Sequence, residues 1–228
     1  MKQPMIEFEG ERAITYDERY QKMAPLKDCL HLLADQVFAS LPEEARVLVV
    51  AAGTGAELLY LAERHPEWIF TAVEPSKTMM SICREKCAQA GVGERVEFHN
   101  GYLQDLPQSQ AYHGATSFLV SHFLLEADER RAFFREIARR LHPGGPLVNA
   151  DLTHLEGDHQ NVMALWLQTM THSGHTFEQL QEYEANLKRA VSLVSDAEMK
   201  ALLVDAGFQA PTRFLQTALI SAWSAQRV

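Results

Sequence analysis

Short apolar runs alternate with amphipathic stretches along the first two thirds of this 228-residue chain. Five apolar runs have the length and composition of buried strands, and they cover residues 46–50, 68–73, 96–99, 116–121 and 147–152. Amphipathic stretches with helical spacing occupy residues 26–41, 58–64, 77–90 and 129–141. Ser76 and Asp128 are expected to cap the last two of these helices. Strands and helices that alternate in this way predict a parallel sheet joined by right-handed crossovers.

The alternation stops after the fifth apolar run. Residues 154–192 contain no strand-like stretch. Two helices are predicted there, at 158–171 and 175–192, with Ser173-Gly174 between them. We therefore predict a helical insertion after the fifth strand, which serves as a lid or as a dimerisation element that forms a homodimer.

One helix and two strands are predicted to complete the chain. Ser195 and Glu198 have the spacing of a capping box ahead of an apolar helical run that ends at Gly207. The runs 208–214 and 217–225 follow closely, so they are expected to pair antiparallel. The predicted fold is α/β, with a doubly wound, mostly parallel seven-stranded sheet and an antiparallel last strand.

Length and composition are those of one globular domain. Hydrophobic residues make up 46% of the chain and charged residues 22%, and a core of this size needs neither disulfides nor a metal for stability. We predict a single domain over 1–228 that includes an N-terminal helical cap at 1–40 and the 154–192 insert.

Charge and cysteine content narrow the expected partners and compartment. Thirty acidic and 21 basic side chains give a net charge of −9, which disfavours general nucleic-acid binding. Cys29, Cys83 and Cys87 are odd in number and follow no apolar leader, so a reducing cytoplasm is expected. No apolar run reaches 18 residues, so no membrane partner is predicted. Cys83 and Cys87 lie one helical turn apart, a spacing that could hold a metal, but the sequence offers no partner pair, so no metal is predicted.

The clearest chemical signal is the segment Val47–Gly55, which leads into an apolar helical pattern. An apolar, β-branched strand runs directly into a turn of small residues that contains Gly53 and Gly55. Glycine there lets the backbone approach a ligand closely or adopt a positive φ. The free N–H groups at the start of the following helix would face that ligand, so the turn predicts a nucleotide or nucleoside site.

Four segments resemble, in order and spacing, the motifs of class I S-adenosylmethionine-dependent methyltransferases, a family with a Rossmann-like fold. They are residues 47–55, 70–76, 100–107 and 141–147. The resemblance extends over about residues 12–225 and includes the terminal helix-strand-strand unit. It implies an enzyme that transfers a methyl group from S-adenosylmethionine to a small molecule and releases S-adenosylhomocysteine.

Three positions depart from the family pattern. Val49 stands where an acidic residue is usual, Ala51 replaces the first glycine of the turn, and Tyr102 replaces an aspartate in the adenine-side loop. Glu57 is an acid just beyond the turn, and it is expected to take over polar contacts near the methionine end of the cofactor.

The resemblance implies a cofactor site at the carboxyl ends of the strands. The Glu74 carboxylate is expected to accept hydrogen bonds from the two ribose hydroxyls, as an acid does in dinucleotide folds. Tyr102 is expected to cover the adenine by stacking or through its hydroxyl. The complete set of expected cofactor-binding residues is Ala51, Ala52, Gly53, Gly55, Glu74, Pro75, Ser76, Met79, Gly101, Tyr102, Leu103 and Ser121.

Methyl transfer from a sulfonium chiefly requires alignment, and it needs a general base only when the acceptor holds its proton tightly. His122, directly after the fourth predicted strand, is the candidate catalytic residue, as a base or as a group that orients the acceptor. Asp151 is a second candidate at the same edge of the sheet. The expected substrate or lid residues are Tyr16, Tyr20, His154 and Trp166.

Two alternatives to a methyltransferase remain at this point. A nicotinamide-dependent oxidoreductase uses a similar sheet, but its fingerprint places glycine where this chain has Leu58. A non-catalytic binding protein with a methyltransferase-like fold would be consistent with Val49, Ala51 and Tyr102. Calorimetry with adenosyl compounds and a reduced nicotinamide separates the three.

Overall fold

A seven-stranded sheet organises the part of the chain that the structure, a computed structural model, describes, namely residues 8–108 and 111–228. The strand order is β3-β2-β1-β4-β5-β7-β6. The strands are β1 (Arg46–Val50), β2 (Ile69–Val73), β3 (Val96–His99), β4 (Gly114–Phe118), β5 (Pro146–Leu152), β6 (Phe208–Thr217) and β7 (Ile220–Arg227).

The helices lie on both faces of this sheet and beyond its carboxyl edge. They are α1 (Glu11–Ile14), α2 (Tyr16–Tyr20), α3 (Ala24–Val37), α4 (Ala56–Arg64), α5 (Lys77–Gln89), α6 (Ala127–Arg140), α7 (His159–His172), α8 (Phe177–Ala190) and α9 (Asp196–Asp205). No helix within the described residues is long and apolar enough to cross a membrane.

The pairing of the strands confirms the predicted fold class. Strands β1 to β5 are mutually parallel, whereas β7 pairs antiparallel with both β5 and β6. The predicted helix pair after β5 is present as α7 and α8. The predicted cap covers residues 1–40, of which residues 1–7 lie outside the described part of the chain.

The alternation of side chains along β1 divides the core between the two faces of the sheet. Leu48 and Val50 pack in a cluster with Trp223 beneath α6 and α9. Val47 and Val49 point to the opposite face, where they join a second cluster beneath α3, α4 and α5. Burial on both faces explains why the parallel strands are continuous apolar runs.

Two local predictions were wrong. The fourth strand was expected to reach residue 121, but it ends at Phe118, because Leu119 has a φ of +56° and takes the chain out of the sheet. Asp128 was expected to cap α6, but the helix begins earlier, after Glu126, and no side chain caps it. The predicted caps at Ser76 and Ser195 are both present.

Candidate active site

The turn after β1 forms the floor of the candidate site. Ala51, Gly53 and Gly55 have φ values of +56°, +55° and +85°. Gly55 leads into α4, and a Cβ added to it would lie 2.7 Å from the Sγ of Cys83. Glycine is therefore required at position 55 by both conformation and space, whereas Ala51 occupies a left-handed conformation that glycine adopts at lower cost.

Glu74 is held firmly at the end of β2. Its side chain is only 5% exposed, Oε2 accepts a 3.0 Å hydrogen bond from Gly53 N, and Oε1 accepts a 2.8 Å bond from Ser76 N. Burial raises the pKa of Glu74, and the two backbone hydrogen bonds partly oppose that effect. The carboxyl group thus lies directly beside the glycine turn, as its predicted role requires.

The adenine-side residues lie around the same strand end. Ser76 caps α5 by accepting a 3.0 Å bond from the N–H of Met79, which is buried. The N–H of Gly101 donates to the Glu74 carbonyl over 3.2 Å. Tyr102 is half-buried, but Leu103 packs in the core under α6. The structure therefore brings these predicted residues together, with Leu103 supporting the loop from below.

The N-terminal segment contacts this site through Phe8 and Glu9, and the sequence pattern had not revealed these two contacts. The carbonyl of Phe8 accepts a 2.6 Å bond from the Ser76 hydroxyl. The Glu9 carboxylate accepts from the N–H groups of Lys77 and Thr78, at 2.8 and 3.2 Å, and so caps α5 from outside. These contacts attach the cap to the start of α5.

A second attachment joins the cap to the turn itself. Asp17 in α2 accepts a 2.9 Å hydrogen bond from the Thr54 hydroxyl and forms an ion pair with Lys86. Thr54 lies between the two glycines of the turn. The cap is therefore connected to both strand ends that carry the predicted cofactor contacts.

Aromatic rings form a row from the cap towards the end of β4. Tyr16 and Tyr20 have ring centroids 4.9 Å apart, and Tyr16 lies 6.1 Å from Phe8. Phe8 in turn lies 5.7 Å from Phe123, whose ring is 4.2 Å from that of His122. The two predicted lid tyrosines are thus linked to the candidate base by ring contacts.

His122 forms a buried pair with Asp151. Its side chain is 3% exposed and that of Asp151 is 0% exposed. The His122 Nδ1 lies 2.6 Å from Asp151 Oδ1, which also accepts a 3.1 Å bond from His122 N. The other carboxylate oxygen accepts from the Ser121 hydroxyl. A carboxylate only accepts hydrogen bonds, so Nδ1 carries a proton and the ring orientation is fixed.

The Asp151 carboxylate remains charged despite its burial. Burial alone would raise its pKa, but the hydrogen bond and attraction of His122, the charge of Arg130 and the Ser121 hydroxyl together lower it. Arg130 is buried as well, and it donates to the carbonyls of Ser121 and Ser192 over 2.8 Å each. The histidine is therefore supported by a charged and fully positioned group.

Two predicted substrate residues have other surroundings. The Trp166 indole is buried within the insert and donates a 2.9 Å bond to the Tyr183 hydroxyl. His154 is exposed, and its ring lies 4.3 Å from that of His159. Their roles in substrate binding stay predictions. Among the described residues, no group of three or more His, Cys, Asp or Glu side chains is arranged to hold a metal ion.

Comparisons with known proteins show which family this chain resembles. Residues 47–145 match a family model described as a methyltransferase domain. A fatty-acid O-methyltransferase from Mycolicibacterium smegmatis is 30% identical over 167 residues, covering 72% of this chain and 58% of that protein. The resemblance to class I S-adenosylmethionine-dependent methyltransferases is confirmed.

Solved structures share the fold. An O-methyltransferase family protein from Burkholderia thailandensis has a TM-score of 0.68 at 17% identity, covering 95% of this chain and 59% of that one. The S-adenosylmethionine-dependent methyltransferase SibL has a TM-score of 0.60 at 19% identity, covering 86% and 55%. This chain thus spans less than two thirds of the length of each of these relatives.

Proposed function

We propose that this chain, which has the class I methyltransferase fold, transfers a methyl group from S-adenosylmethionine to an oxygen atom of a small, largely apolar molecule. The observation that carries the proposal is the buried Glu74 carboxyl group, hydrogen-bonded to Gly53 N and Ser76 N at the point where β1 and β2 end. That is the position from which an acid can hold a ribose beside a glycine turn.

The residues present fit such a cofactor. Each oxygen of Glu74 uses one hydrogen bond within the protein, so each keeps an acceptor position for a ribose hydroxyl. A Cβ added to Gly53 would have Met79 Sδ at 3.8 Å as its nearest neighbour, which leaves space above the turn. S-adenosylmethionine, when bound, supplies a methyl group already activated on a sulfonium.

The chain's own contribution to transfer is alignment and proton removal. Asp151 holds the Nδ1 side of His122, so Nε2 is the nitrogen that would accept a proton from an acceptor hydroxyl. The row of rings from Phe123 to Tyr20 would pack against an apolar or planar acceptor and exclude water. The Mycolicibacterium relative is a fatty-acid O-methyltransferase, which supports an oxygen acceptor for this chain as well.

The first experiment is calorimetry of the full chain with S-adenosylmethionine, S-adenosylhomocysteine and NADH. We expect both adenosyl compounds to bind and NADH not to bind. Glu74→Ala should weaken adenosyl binding by about 1–3 kcal/mol, the effect of an unmade charged hydrogen bond. Absence of adenosyl binding by the folded wild-type chain would overturn the proposal.

The second experiment follows transfer of a labelled methyl group to a panel of phenols, long-chain fatty acids and amines. Labelling of an oxygen acceptor, with loss of phenol turnover in His122→Ala, is expected. Adenosyl binding without transfer to any member of the panel would instead favour a non-catalytic binding protein. The observation that supports this second candidate is the pair of cap contacts at Ser76 and Thr54, because they close the site from the N-terminal side.

A further inference from the structure

Glu57 is a buried acid that neither the fold nor the proposed transfer step explains. It lies in the first turn of α4, two residues after Gly55, and it is 7% exposed. Within the described chain, its Oε1 has no hydrogen-bond partner. A buried carboxyl oxygen without a partner is costly, so its presence beside a ligand turn requires a reason.

Charged and polar groups from α3, α5, β4, the cap and the end of β2 interact with Glu57. Glu74, directly after β2, raises the pKa of Glu57 by charge repulsion, whereas Lys27 of α3 lowers it. The charge of Glu57 in turn contributes, behind burial, to the raised pKa of Tyr16 in the cap. It also contributes, behind Cys87 and burial, to the raised pKa of Cys83 in α5. The nearby Thr116 hydroxyl on β4 lowers the pKa of Glu57. Thr116 Oγ1 itself has no partner within hydrogen-bond distance among the described residues. Of the described residues that influence the pKa of Glu57, only the exposed Lys27 is a cation.

Burial is the dominant influence on this acid. It raises the pKa of Glu57 to about 8, against smaller opposing effects of its own backbone N–H and of Thr116. At neutral pH the protein alone therefore holds Glu57 mostly as the neutral acid. A cation beside it would reverse that preference and favour the carboxylate.

An adenosyl amino acid would bring such a cation to this place. Glu74 marks the expected ribose position beside Gly53, and Glu57 lies two residues beyond Gly55, in the first turn of α4. The amino-acid end carries an ammonium group with three N–H donors, which match the unused acceptor on Glu57. A sulfonium offers no donor, so the ammonium is the better partner.

We infer that Glu57 binds the ammonium group of the cofactor's amino-acid end as a carboxylate, and that it releases its proton to solvent when the cofactor binds. This inference rests on the proposed function, since it assumes an adenosyl ligand above the turn. The step forms and breaks no covalent bond other than the O–H bond of Glu57, whose proton passes to the buffer.

The test is calorimetry of the full chain at pH 7.0 in two buffers with different heats of ionisation. S-adenosylhomocysteine carries the ammonium, whereas 5′-methylthioadenosine lacks the entire amino-acid end. We expect release of about one proton per bound S-adenosylhomocysteine and none for methylthioadenosine. A count near zero for S-adenosylhomocysteine would overturn the inference without any variant being made.

Glu57→Gln is the variant, and the exposed Glu63→Gln on the same helix is its control. Glu57→Gln should weaken S-adenosylhomocysteine by about tenfold or more, abolish proton release, and leave methylthioadenosine binding unchanged. Equal affinity of S-adenosylhomocysteine for Glu57→Gln and wild type would refute the inference while leaving the proposed function intact. Failure of both compounds to bind the wild-type chain would refute the proposed function and the inference together.

Discussion

Replacing Asp151 by asparagine tests how the candidate base is held. Oδ1 accepts from the His122 N–H and ring Nδ1, and Oδ2 accepts from the Ser121 hydroxyl and, over 3.3 Å, from Asn149 Nδ2. Asparagine keeps the shape of the side chain but replaces one acceptor oxygen by an NH₂ donor. In either orientation of the new amide, its NH₂ group therefore faces groups that are themselves donors. Arg130 also loses the nearby negative charge.

The size of the effect follows from burial. Breaking a buried pair by removing one charged partner costs about 3–5 kcal/mol, because the remaining groups stay desolvated. Asp151 is completely buried, so solvent cannot replace its lost contacts. We expect Asp151→Asn to lower the free energy of unfolding by about 3 kcal/mol at pH 7.

The dependence on pH provides an independent check. The pKa of Asp151 is lowered in the folded chain, whereas the unfolded value is about 3.9. The folded state thus binds fewer protons, and the contribution of Asp151 is complete above the unfolded pKa and lost as pH falls through the folded pKa. Asp151→Asn should therefore reduce the loss of stability in the range below about pH 4.

Urea unfolding at pH 7 and at several values below pH 4 measures both effects, with the exposed Asp128→Asn as the control. Once an acceptor is known, methyl transfer should also fall by about 10²–10⁴-fold, because the His122 ring loses its orienting acceptor. A stability change below about 1 kcal/mol at pH 7 would show that the carboxylate does not hold the ring, and the argument would fail.

Three further predictions concern stability and can be measured by urea unfolding. Ala51→Gly should stabilise the chain by about 1 kcal/mol, since a φ of +56° favours glycine; a loss of stability would contradict this. Gly55→Ala should destabilise it by about 2 kcal/mol, because φ is +85° and the new Cβ meets Cys83 Sγ at 2.7 Å. Burial lowers the pKa of His31 from 6.5 to about 4, so stability should fall by about 3 kcal/mol as pH drops from 6.5 to 4, and His31→Phe should remove that slope.

The parts of the fold that depend on local pattern were predictable. The run 46–50 matches β1 residue for residue, because a strand buried on both faces must be continuously apolar. The Ser76 and Ser195 caps were predictable because capping depends on residues three positions apart. The place of Glu74 beside the turn was predictable because Glu74 directly follows the apolar strand β2, and its hydrogen bond with Gly53 N agrees with that prediction.

The contacts of the cap had no comparable signal. Glu9 meets Thr78 across 69 residues, and Asp17 meets Thr54 across 37 residues. Acidic residues in a polar N-terminal segment are usual on a solvated surface, so nothing in their spacing distinguishes a partner on the sheet edge. The His122–Asp151 pair was predictable in part, because both residues were expected at the same edge of a parallel sheet. Their direct contact depends on the pairing of Phe118 with Ala150, which the sequence pattern does not give.

The three buried acids of the site differ in the direction of their pKa shifts, and the difference lies in their partners. Desolvation raises the pKa of each. Asp151 receives donors on both oxygens and the charge of Arg130, which outweigh burial, so it stays charged beside His122. Glu74 has two backbone donors and Glu57 has an unpartnered oxygen, so burial prevails at both. An acid that stays charged suits a fixed orienting role, whereas acids raised by burial respond to the charge of a ligand. The His122 end of the site is therefore electrostatically complete in the protein alone, whereas under our inference a cation of the ligand would complete the Glu57 end.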